Sequence, residues 1–165
     1  MTTSFPVNGV FTEKQKQIYD LVLKCNRAVF AALKPGVSWS DMHLLSERVL
    51  LEGLKELGCV TGDVDAMLKA RLGFVFQAHG LGHLIGLDTH DAGGYLDGAA
   101  QNATPERDPQ PGLKNLRTAR VMETGMCMTI EPGCYFRDFL LHGELPKDKL
   151  DIDLSYLNLE RCKEF

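Results

Sequence analysis

The chain has 165 residues, of which 44% are hydrophobic and 24% charged, and its formal net charge is −4. This length predicts one domain, and the composition is ordinary for a soluble globular protein. The negative charge gives no electrostatic reason to bind nucleic acid, and no apolar run approaches the roughly 20 residues of a membrane span. Five scattered cysteines without a CxxC pair, in a chain with no signal-peptide pattern, predict reduced thiols and a cytoplasmic location.

The first seventy residues are predicted to be mainly helical. Residues 1–11 have the pattern of a strand end and a turn, and Thr12 and Gln15 then have the spacing of a capping box. Apolar residues recur at helical spacing in three segments, which predicts helices over residues 12–33, 40–58 and 64–72. Lys34-Pro35-Gly36 is expected to end the first helix. The apolar faces of these helices are expected to form the core.

The remainder of the chain is predicted to contain strands, turns and one long loop. Phe74 to Phe76 leads into a histidine-rich stretch of strand and turn. Residues 96–118 are rich in proline and polar side chains, which indicates a surface loop. Thr129 to Phe136 is predicted to be a buried strand interrupted by Pro132-Gly133, and the charged tail over residues 145–165 is predicted to be helical in part.

The segment from His79 to Asp91 carries the densest group of chemically active side chains. It holds His79, His83 and His90 together with two aspartates and three glycines. Imidazoles serve as metal ligands or proton carriers near neutral pH. The glycines disfavour a helix, and in an extended chain His79 and His83 lie on the same side. The remaining histidines, His43 and His142, have no converging neighbours in the sequence and are interpreted as structural or exposed.

Glu131 is a single carboxylate in the apolar run from Met128 to Phe136. A buried carboxylate without a partner is costly, so a partner is predicted. A metal ion is one possibility, and a salt bridge to Arg117 or Arg120 is the structural alternative. Histidines and a buried carboxylate in one small protein indicate a metal-dependent hydrolase.

Three other motif interpretations fail on spacing or composition. Gly80-Leu81-Gly82 followed by Gly86 is GxGxxxG, one residue too long for a dinucleotide-binding loop. The HExxH motif of zincins is absent, and so is the GxSxG motif of serine hydrolases.

The two motifs together resemble those of the Xaa-Pro dipeptidases (prolidases), which belong to the pita-bread metallopeptidases with aminopeptidase P and methionine aminopeptidase. HGLGH begins at His79, GxDxHD begins at Gly86 and TxEPGxYF begins at Thr129. This combination is highly specific, and HGLGH favours the proline-directed branch. The resemblance implies an α/β (α+β) fold, in which helices flank a curved antiparallel sheet.

In that family two divalent ions, usually manganese, are held by two aspartates, one histidine and two glutamates. The resemblance implies that His83 is the histidine ligand and Glu131 the first glutamate ligand. It implies that His90 contacts the scissile carbonyl and that His79 is a histidine of the second coordination sphere that carries a proton. Arg117 matches the arginine that holds the free carboxylate of the dipeptide substrate, a task suited to a guanidinium.

The resemblance also implies that residues 1–165 are a partial catalytic domain. Both aspartate ligands would precede the Ser4-Phe5-Pro6 segment, and the last glutamate would come after Phe165. Two of the five ligands are therefore expected here, without the N-terminal domain, the strands of the two aspartates or the strand of the last glutamate. These residues alone are expected to be inactive, and the full-length protein is expected to be a homodimer.

The predicted function is manganese-dependent hydrolysis of Xaa-Pro dipeptides, with no nucleic-acid or membrane partner. One alternative is a non-catalytic pita-bread binding module, and the intact histidines and Glu131 argue against it because a binding module does not need them. A second alternative is aminopeptidase P, which cuts a longer peptide before proline. Arg117 favours the dipeptidase, because a carboxylate clamp one residue beyond the scissile bond rejects longer substrates.

Overall fold

Two long helices form the centre of the molecule. The computed structural model describes residues 3–95, 106–144 and 152–165. The α-helices in these ranges are α1 (Glu13–Ala32), α2 (Trp39–Glu56), α3 (Val64–Lys69), α4 (Gly73–Phe76), α5 (Asp138–Leu141) and α6 (Leu159–Cys162), with short 3₁₀ turns at Leu113–Asn115 and Leu154–Tyr156. Helix α1 packs on α2 so closely that a Cβ atom at Gly53 would overlap the Leu21 side chain.

The predicted start and end of α1 are confirmed. The Thr12 hydroxyl accepts a hydrogen bond from the Gln15 amide (3.2 Å), and the Gln15 side chain accepts one from the Thr12 amide (3.0 Å). This reciprocal pair is the capping box, which satisfies two amides that have no partner inside the helix. Helix α1 ends at Ala32, just before Lys34-Pro35-Gly36.

The second helix begins slightly earlier than predicted, at Trp39, with Ser38 as its N-cap residue. Beyond its end, Gly58 has a φ of +79°, a left-handed conformation that glycine adopts without a Cβ clash. Trp39 is fully buried and packs among Leu81, Leu116 and other apolar residues. The start of α2 therefore anchors the segments that carry the histidine-rich motif and Arg117.

One helix predicted for the middle of the chain ends earlier than expected. The helix expected over residues 64–72 ends at Lys69, and Arg71 then takes a left-handed φ of 56°. Phe74–Phe76, which leads into the histidine-rich stretch, lies in α4. All four residues of α4 are buried, and so short an apolar run has no periodicity that distinguishes helix from strand.

Extended segments pair through isolated antiparallel bridges. The bridges join Ser38 to Val121, Val60 to Leu157 and Leu84 to Met128. Within the described ranges these single bridges, rather than a sheet, are found where the curved sheet and the strand from Thr129 were predicted. The curved sheet therefore stays a prediction. The turn expected near the N-terminus is present, since the Gly9 amide donates to the Pro6 carbonyl.

Two predicted segments lie partly outside the described residues, namely 96–105 of the long loop and 145–151 of the tail. The described part of the tail, residues 152–165, is helical in part, as predicted. No helix among the described residues combines the length and the apolar character that crossing a bilayer requires.

Candidate active site

The two sequence motifs meet through a short antiparallel pairing of residues 81–85 with residues 127–131. Three backbone hydrogen bonds set the register, from Glu131 to Leu81 (2.7 Å), from Thr129 to His83 (2.9 Å) and from Ile85 to Cys127 (3.1 Å). In this register His83 faces Thr129, and Glu131 lies two residues further along on the same side. Diagonal neighbours of this kind are within reach of each other's side chains.

His83 and Glu131 form a direct contact, with 2.8 Å between Nε2 and Oε1. His83 is buried, whereas the Glu131 side chain is 51% exposed, so the prediction of a buried carboxylate is wrong. The partner is also neither of the two arginines considered from the sequence. Arg120 instead binds Glu123 at 3.3 Å.

The backbone around His83 fixes the orientation of its ring. Nδ1 lies 2.9 Å from the Leu84 carbonyl, which only accepts hydrogen bonds, so Nδ1 carries a proton. Nε2 therefore points at Glu131. The Thr129 hydroxyl accepts from the His83 amide (3.0 Å) and donates back to the His83 carbonyl (3.3 Å), which holds the residue from a second side.

The His83 and Glu131 side chains together fit a divalent cation as ligands. A neutral His83 with a proton on Nδ1 presents a lone pair at Nε2, and the Glu131 carboxylate also presents lone pairs. Two acceptors 2.8 Å apart repel each other unless a proton or a cation shares them. An imidazole and a carboxylate are suitable ligands for transition-metal ions, and a carbonyl holding the other ring nitrogen is the usual outer support of a ligating histidine. Over the described ranges no group of three or more potential ligand side chains is present.

A tight turn brings His90 next to His83 and Glu131. The Asp91 amide donates to the Leu84 carbonyl (3.1 Å), and this folds residues 85–91 back on themselves. A Cβ atom at Gly86 would overlap the Asp91 carboxylate, so a larger residue there would have to displace that side chain. The His90 ring packs edge-on against the His83 ring, with 4.5 Å between the ring centroids. His90 itself is exposed.

His79 is held by two hydrogen bonds of opposite sense. Its Nδ1 donates to the Gly80 carbonyl (2.9 Å), so Nε2 accepts from the Tyr135 hydroxyl (3.1 Å). Tyr135 reaches His79 because its ring folds back over Gly133, where a Cβ atom would come within 2.5 Å of the tyrosine oxygen. Tyr135 was not identified from the sequence as a site residue. The glycine two positions before it was the available signal.

Arg117 lies just after the 3₁₀ turn Leu113–Asn115 and is exposed. The turn is fastened to the histidine-rich segment, since the Asn115 side-chain amide donates to the Ala78 carbonyl (2.6 Å). Leu116 is buried, which leaves the next side chain to point outward. Within the described ranges the Arg117 guanidinium contacts no carboxylate.

All five candidate residues line one open cleft of about 1660 Å³, together with the N-terminal segment and one face of α1. The cleft thus brings together the three histidines of the predicted site with Arg117 and Glu131. The cleft is larger than a dipeptide needs, since small-molecule sites commonly measure 300–1,000 Å³.

The cysteine beside Glu131 does not supply a nucleophile. All five cysteines are free thiols. Burial raises the pKa of the Cys134 thiol well above its ordinary value and raises the pKa of Cys25 to about 12. The thiolate is the reactive form, so both thiols are inert at neutral pH.

One polar cluster lies away from the cleft and was missed. His43 was interpreted as having no converging neighbours, but it is fully buried and contacts Glu47 (3.0 Å), which also binds Arg71 (2.8 Å). The four-residue spacing of His43 and Glu47 on a helix was the available signal. His142 is exposed after α5, as expected.

The sequence comparisons identify the class. Residues 1–151 match the model of metallopeptidase family M24, and the chain belongs to this family. It is similar to Xaa-Pro dipeptidase of Homo sapiens (49% identity) and of Mus musculus (55% identity), in both cases over all 165 residues and 32% of the relative. It is also 39% identical over 165 residues to a probable Xaa-Pro aminopeptidase of Sordaria macrospora, covering 33% of that protein. The resemblance drawn from the motifs is confirmed.

Solved structures agree with the family. Aminopeptidase PepP of Pseudomonas aeruginosa superposes with a TM-score of 0.65 at 36% identity, and a zinc-substituted Escherichia coli aminopeptidase P in complex with product superposes with a TM-score of 0.64 at 32% identity. Each match covers 90% of this chain and 29% of the other. The chain spans about a third of the length of the curated relatives it matches.

Proposed function

We propose that residues 1–165 form a partial catalytic domain of an Xaa-Pro dipeptidase, an enzyme that hydrolyses dipeptides with a C-terminal proline. The observation that carries the proposal is the pairing of His83 with Glu131 at 2.8 Å, in the wall of a cleft that the three other candidate residues also line. A binding module has no chemical need for this arrangement. Family membership and the two dipeptidase relatives support the same function.

His83 and Glu131 are the proposed ligands of a divalent ion, with manganese as the proposed metal, because carboxylate ligands with one imidazole suit it. Bound there, the ion would supply Lewis-acid activation of water and of the scissile carbonyl. Two aspartates and a second glutamate complete the ligand set that the resemblance implies, and they have no counterpart in residues 1–165.

His90 is the proposed contact of the scissile carbonyl. Its ring lies against His83 and is exposed to the cleft, so an imidazole N–H can reach a carbonyl oxygen beside the pair. A donor held in position stabilises the negative charge that develops on this oxygen.

His79 is the proposed proton carrier. Its Nδ1–H is held by the Gly80 carbonyl, and its Nε2 lone pair faces the Tyr135 hydroxyl. A neutral imidazole in this state can take up a proton at Nε2 and release it, as general acid–base catalysis requires.

Arg117 is the proposed clamp for the free carboxylate of the substrate. An exposed guanidinium on the cleft wall with no carboxylate contact within the described ranges can bind an incoming carboxylate through two parallel hydrogen bonds.

Kinetics of variants test this function. In the protein expressed at its full coding length, we expect His83→Ala to abolish Gly-Pro hydrolysis. We expect Arg117→Ala to raise KM at least about tenfold with a smaller effect on kcat. Arg27→Ala removes an exposed arginine of α1 outside the cleft and serves as the control. Hydrolysis that survives His83→Ala at the wild-type rate would contradict the proposal.

An aminopeptidase P activity is the second candidate, favoured by the similarity to two solved aminopeptidase P structures. The two activities differ in whether the substrate extends beyond the proline. A dipeptidase hydrolyses Gly-Pro and leaves a proline-containing tripeptide intact, whereas an aminopeptidase P cuts the tripeptide. The ratio of kcat/KM for the two substrates decides between them.

A further inference from the structure

A buried ionic cluster of His43, Glu47 and Arg71 lies between α2 and the loop after α3. His43 Nε2 and Arg71 Nη2 both donate to the same oxygen of Glu47, at 3.0 and 2.8 Å. The His43 and Glu47 side chains are fully buried, and Arg71 is 5% exposed. A buried ion group of this kind is costly to desolvate, so an apolar core would serve stability at least as well. The cluster is therefore expected to hold the backbone segments that it contacts in place.

The cluster holds one side of the cleft through the backbone. Arg71 Nε donates to the Pro111 carbonyl (3.0 Å). The next residue, Gly112, lies directly on the cluster, where a Cβ atom would come within 3.1–3.2 Å of atoms of all three side chains. Gly112 begins the 3₁₀ turn that leads to Arg117.

The same cluster also holds the segment that leads to the histidines. Arg71 has a left-handed φ of 56°, a backbone conformation that is unfavourable for a residue other than glycine. Two residues later, Gly73 begins α4 so close to Glu47 that a Cβ atom would come within 2.9 Å of its side chain. Helix α4 ends at Phe76, just before the segment of His79 and His83.

We propose that His43, Glu47 and Arg71 are positioning residues that set the distance between Arg117 and the His83–Glu131 pair, and so select substrates with a carboxylate at a fixed distance from the scissile bond. This inference rests on the proposed function for the role of Arg117. Arg71 is the connecting residue, because its guanidinium binds Glu47 and the Pro111 carbonyl at once.

Arg71→Lys tests the connection in the protein expressed at its full coding length. Lysine keeps the charge near Glu47 but lacks the rigid fork that reaches two acceptors. Arg48→Lys is the matched control, since Arg48 lies on the same helix as Glu47 and binds Asp65 at 2.6 Å on the surface. For Gly-Pro, we expect Arg71→Lys to raise KM about tenfold with kcat within about twofold, the effect of one misplaced charge-assisted hydrogen bond. Arg48→Lys should change neither constant.

A substrate without the carboxylate separates positioning from general damage. Glycyl-proline amide cannot use Arg117, so Arg71→Lys should leave its kcat/KM unchanged. In the Arg117→Ala background, Arg71→Lys should likewise have no further effect on Gly-Pro. An equal loss on both substrates, or additive effects of the two substitutions, would overturn the proposal.

Hydrogen exchange gives a readout that does not depend on activity. The amides of Lys114, Asn115 and Leu116 are hydrogen-bonded in the turn before Arg117. We expect Arg71→Lys to speed their exchange about tenfold and Arg48→Lys to leave it unchanged. Faster exchange without a change in KM would show a structural role only and overturn the proposal. If Arg117→Ala itself leaves KM for Gly-Pro unchanged, the proposed clamp fails, and the exchange result still decides whether the cluster holds the turn.

Gly112→Ala provides a second variant in case Arg71→Lys does not fold. Its control is Gly125→Ala, because both glycines have a positive φ (+84° and +92°) but a Cβ atom at Gly125 meets nothing within 4 Å. Both substitutions place a side chain at a positive φ, and only Gly112→Ala presses on the cluster. We expect Gly112→Ala to raise KM for Gly-Pro several-fold more than Gly125→Ala does. Equal effects would contradict the inference.

Discussion

At the scale of single residues, the chemistry of the site depends on which polar atoms face each other. His83 is held by the Leu84 carbonyl and by Thr129, so that its free nitrogen points at Glu131. The Glu131 side chain is half exposed, so its carboxylate stays in contact with solvent in the cleft. This contact is the geometry on which the proposed metal site rests.

Metal affinity tests this arrangement. In the protein expressed at its full coding length, we expect His83→Gln and Glu131→Gln each to weaken manganese binding about a hundredfold or more in calorimetric titrations. His142→Gln removes an exposed histidine outside the cleft lining and should leave binding unchanged. Unaltered affinity in Glu131→Gln would remove this residue from the ligand set.

Thiol reactivity depends on burial at the same scale. Cys127 is exposed, whereas burial raises the pKa of Cys25 to about 12 and raises that of Cys134 as well. A thiol with a pKa near 12 is ionised to only about one part in ten thousand at pH 8. We expect iodoacetamide to label Cys127 first and the other two only after unfolding, as monitored by peptide mass mapping. Labelling of Cys134 in the folded protein at the rate of Cys127 would show that its environment is open.

At the scale of elements, local signals set where a helix begins and ends, whereas contacts between distant segments set which segments pair. The ends of α1 are set by its own neighbours, through the capping box at Thr12 and the Pro-Gly sequence beyond Ala32. The pairing of residues 81–85 with 127–131 is set by contacts between distant segments, and a Cβ atom at Gly82 would overlap the Thr129 carbonyl.

The capping box provides the first prediction at this scale. Thr12→Ala should lower the free energy of unfolding by about 1 kcal/mol, because the Gln15 amide loses its acceptor. Thr12→Ser keeps a hydroxyl at the same place and should retain most of the stability. Urea unfolding of the three proteins measures both effects. A serine variant as unstable as the alanine variant would argue against the hydrogen bond as the cause.

Gly82 provides the second prediction. A Cβ atom there would overlap the Thr129 carbonyl, so Gly82→Ala must displace the segment that carries Glu131. We expect a loss of about 2–3 kcal/mol in the free energy of unfolding, as for other overpacked sites. Gly36→Ala is the comparison, with a φ of +92° and nothing within 4 Å, and should cost about 1 kcal/mol from backbone strain alone. If Gly82→Ala lowered the free energy of unfolding less than Gly36→Ala does, the close contact between Gly82 and Thr129 would be contradicted.

At the scale of the whole molecule, the cleft gathers five predicted site residues, and two of them, His83 and Glu131, are the proposed metal ligands. Large apolar side chains near the N-terminus are exposed, with Phe5 at 76% and Val10 at 68%. A two-donor site holds an ion weakly, because water fills most of the coordination sphere.

Catalysis by residues 1–165 alone is therefore expected to be absent. With purified chain, saturating manganese and Gly-Pro, proline release should stay at the rate of the buffer control. The His83→Ala chain is the matched blank. Proline release by the chain that disappears in this variant would show that two ligands suffice and would contradict the ligand count.

Local sequence determined the features that depend on residues near each other in the chain. The capping box, the proline and glycine stops, the helical apolar faces and the glycine-broken histidine segment were all predicted, because their signals act over a few residues. The motifs around His83 and Glu131 were also specific enough to identify the family. Arg71, Glu47 and Tyr135 were missed, because a helical spacing or a nearby glycine does not say which distant side chain a residue will meet.

Only the tertiary structure decided the contacts between distant segments. The register that brings Glu131 to His83, the half-exposed state of that carboxylate and the cluster that joins α2 to Gly112 depend on how segments pack. Phe74–Phe76 forms a helix whose residues are all buried in the surrounding core. Propensity and spacing describe one segment at a time, whereas burial and pairing energies depend on the segments that meet it in space.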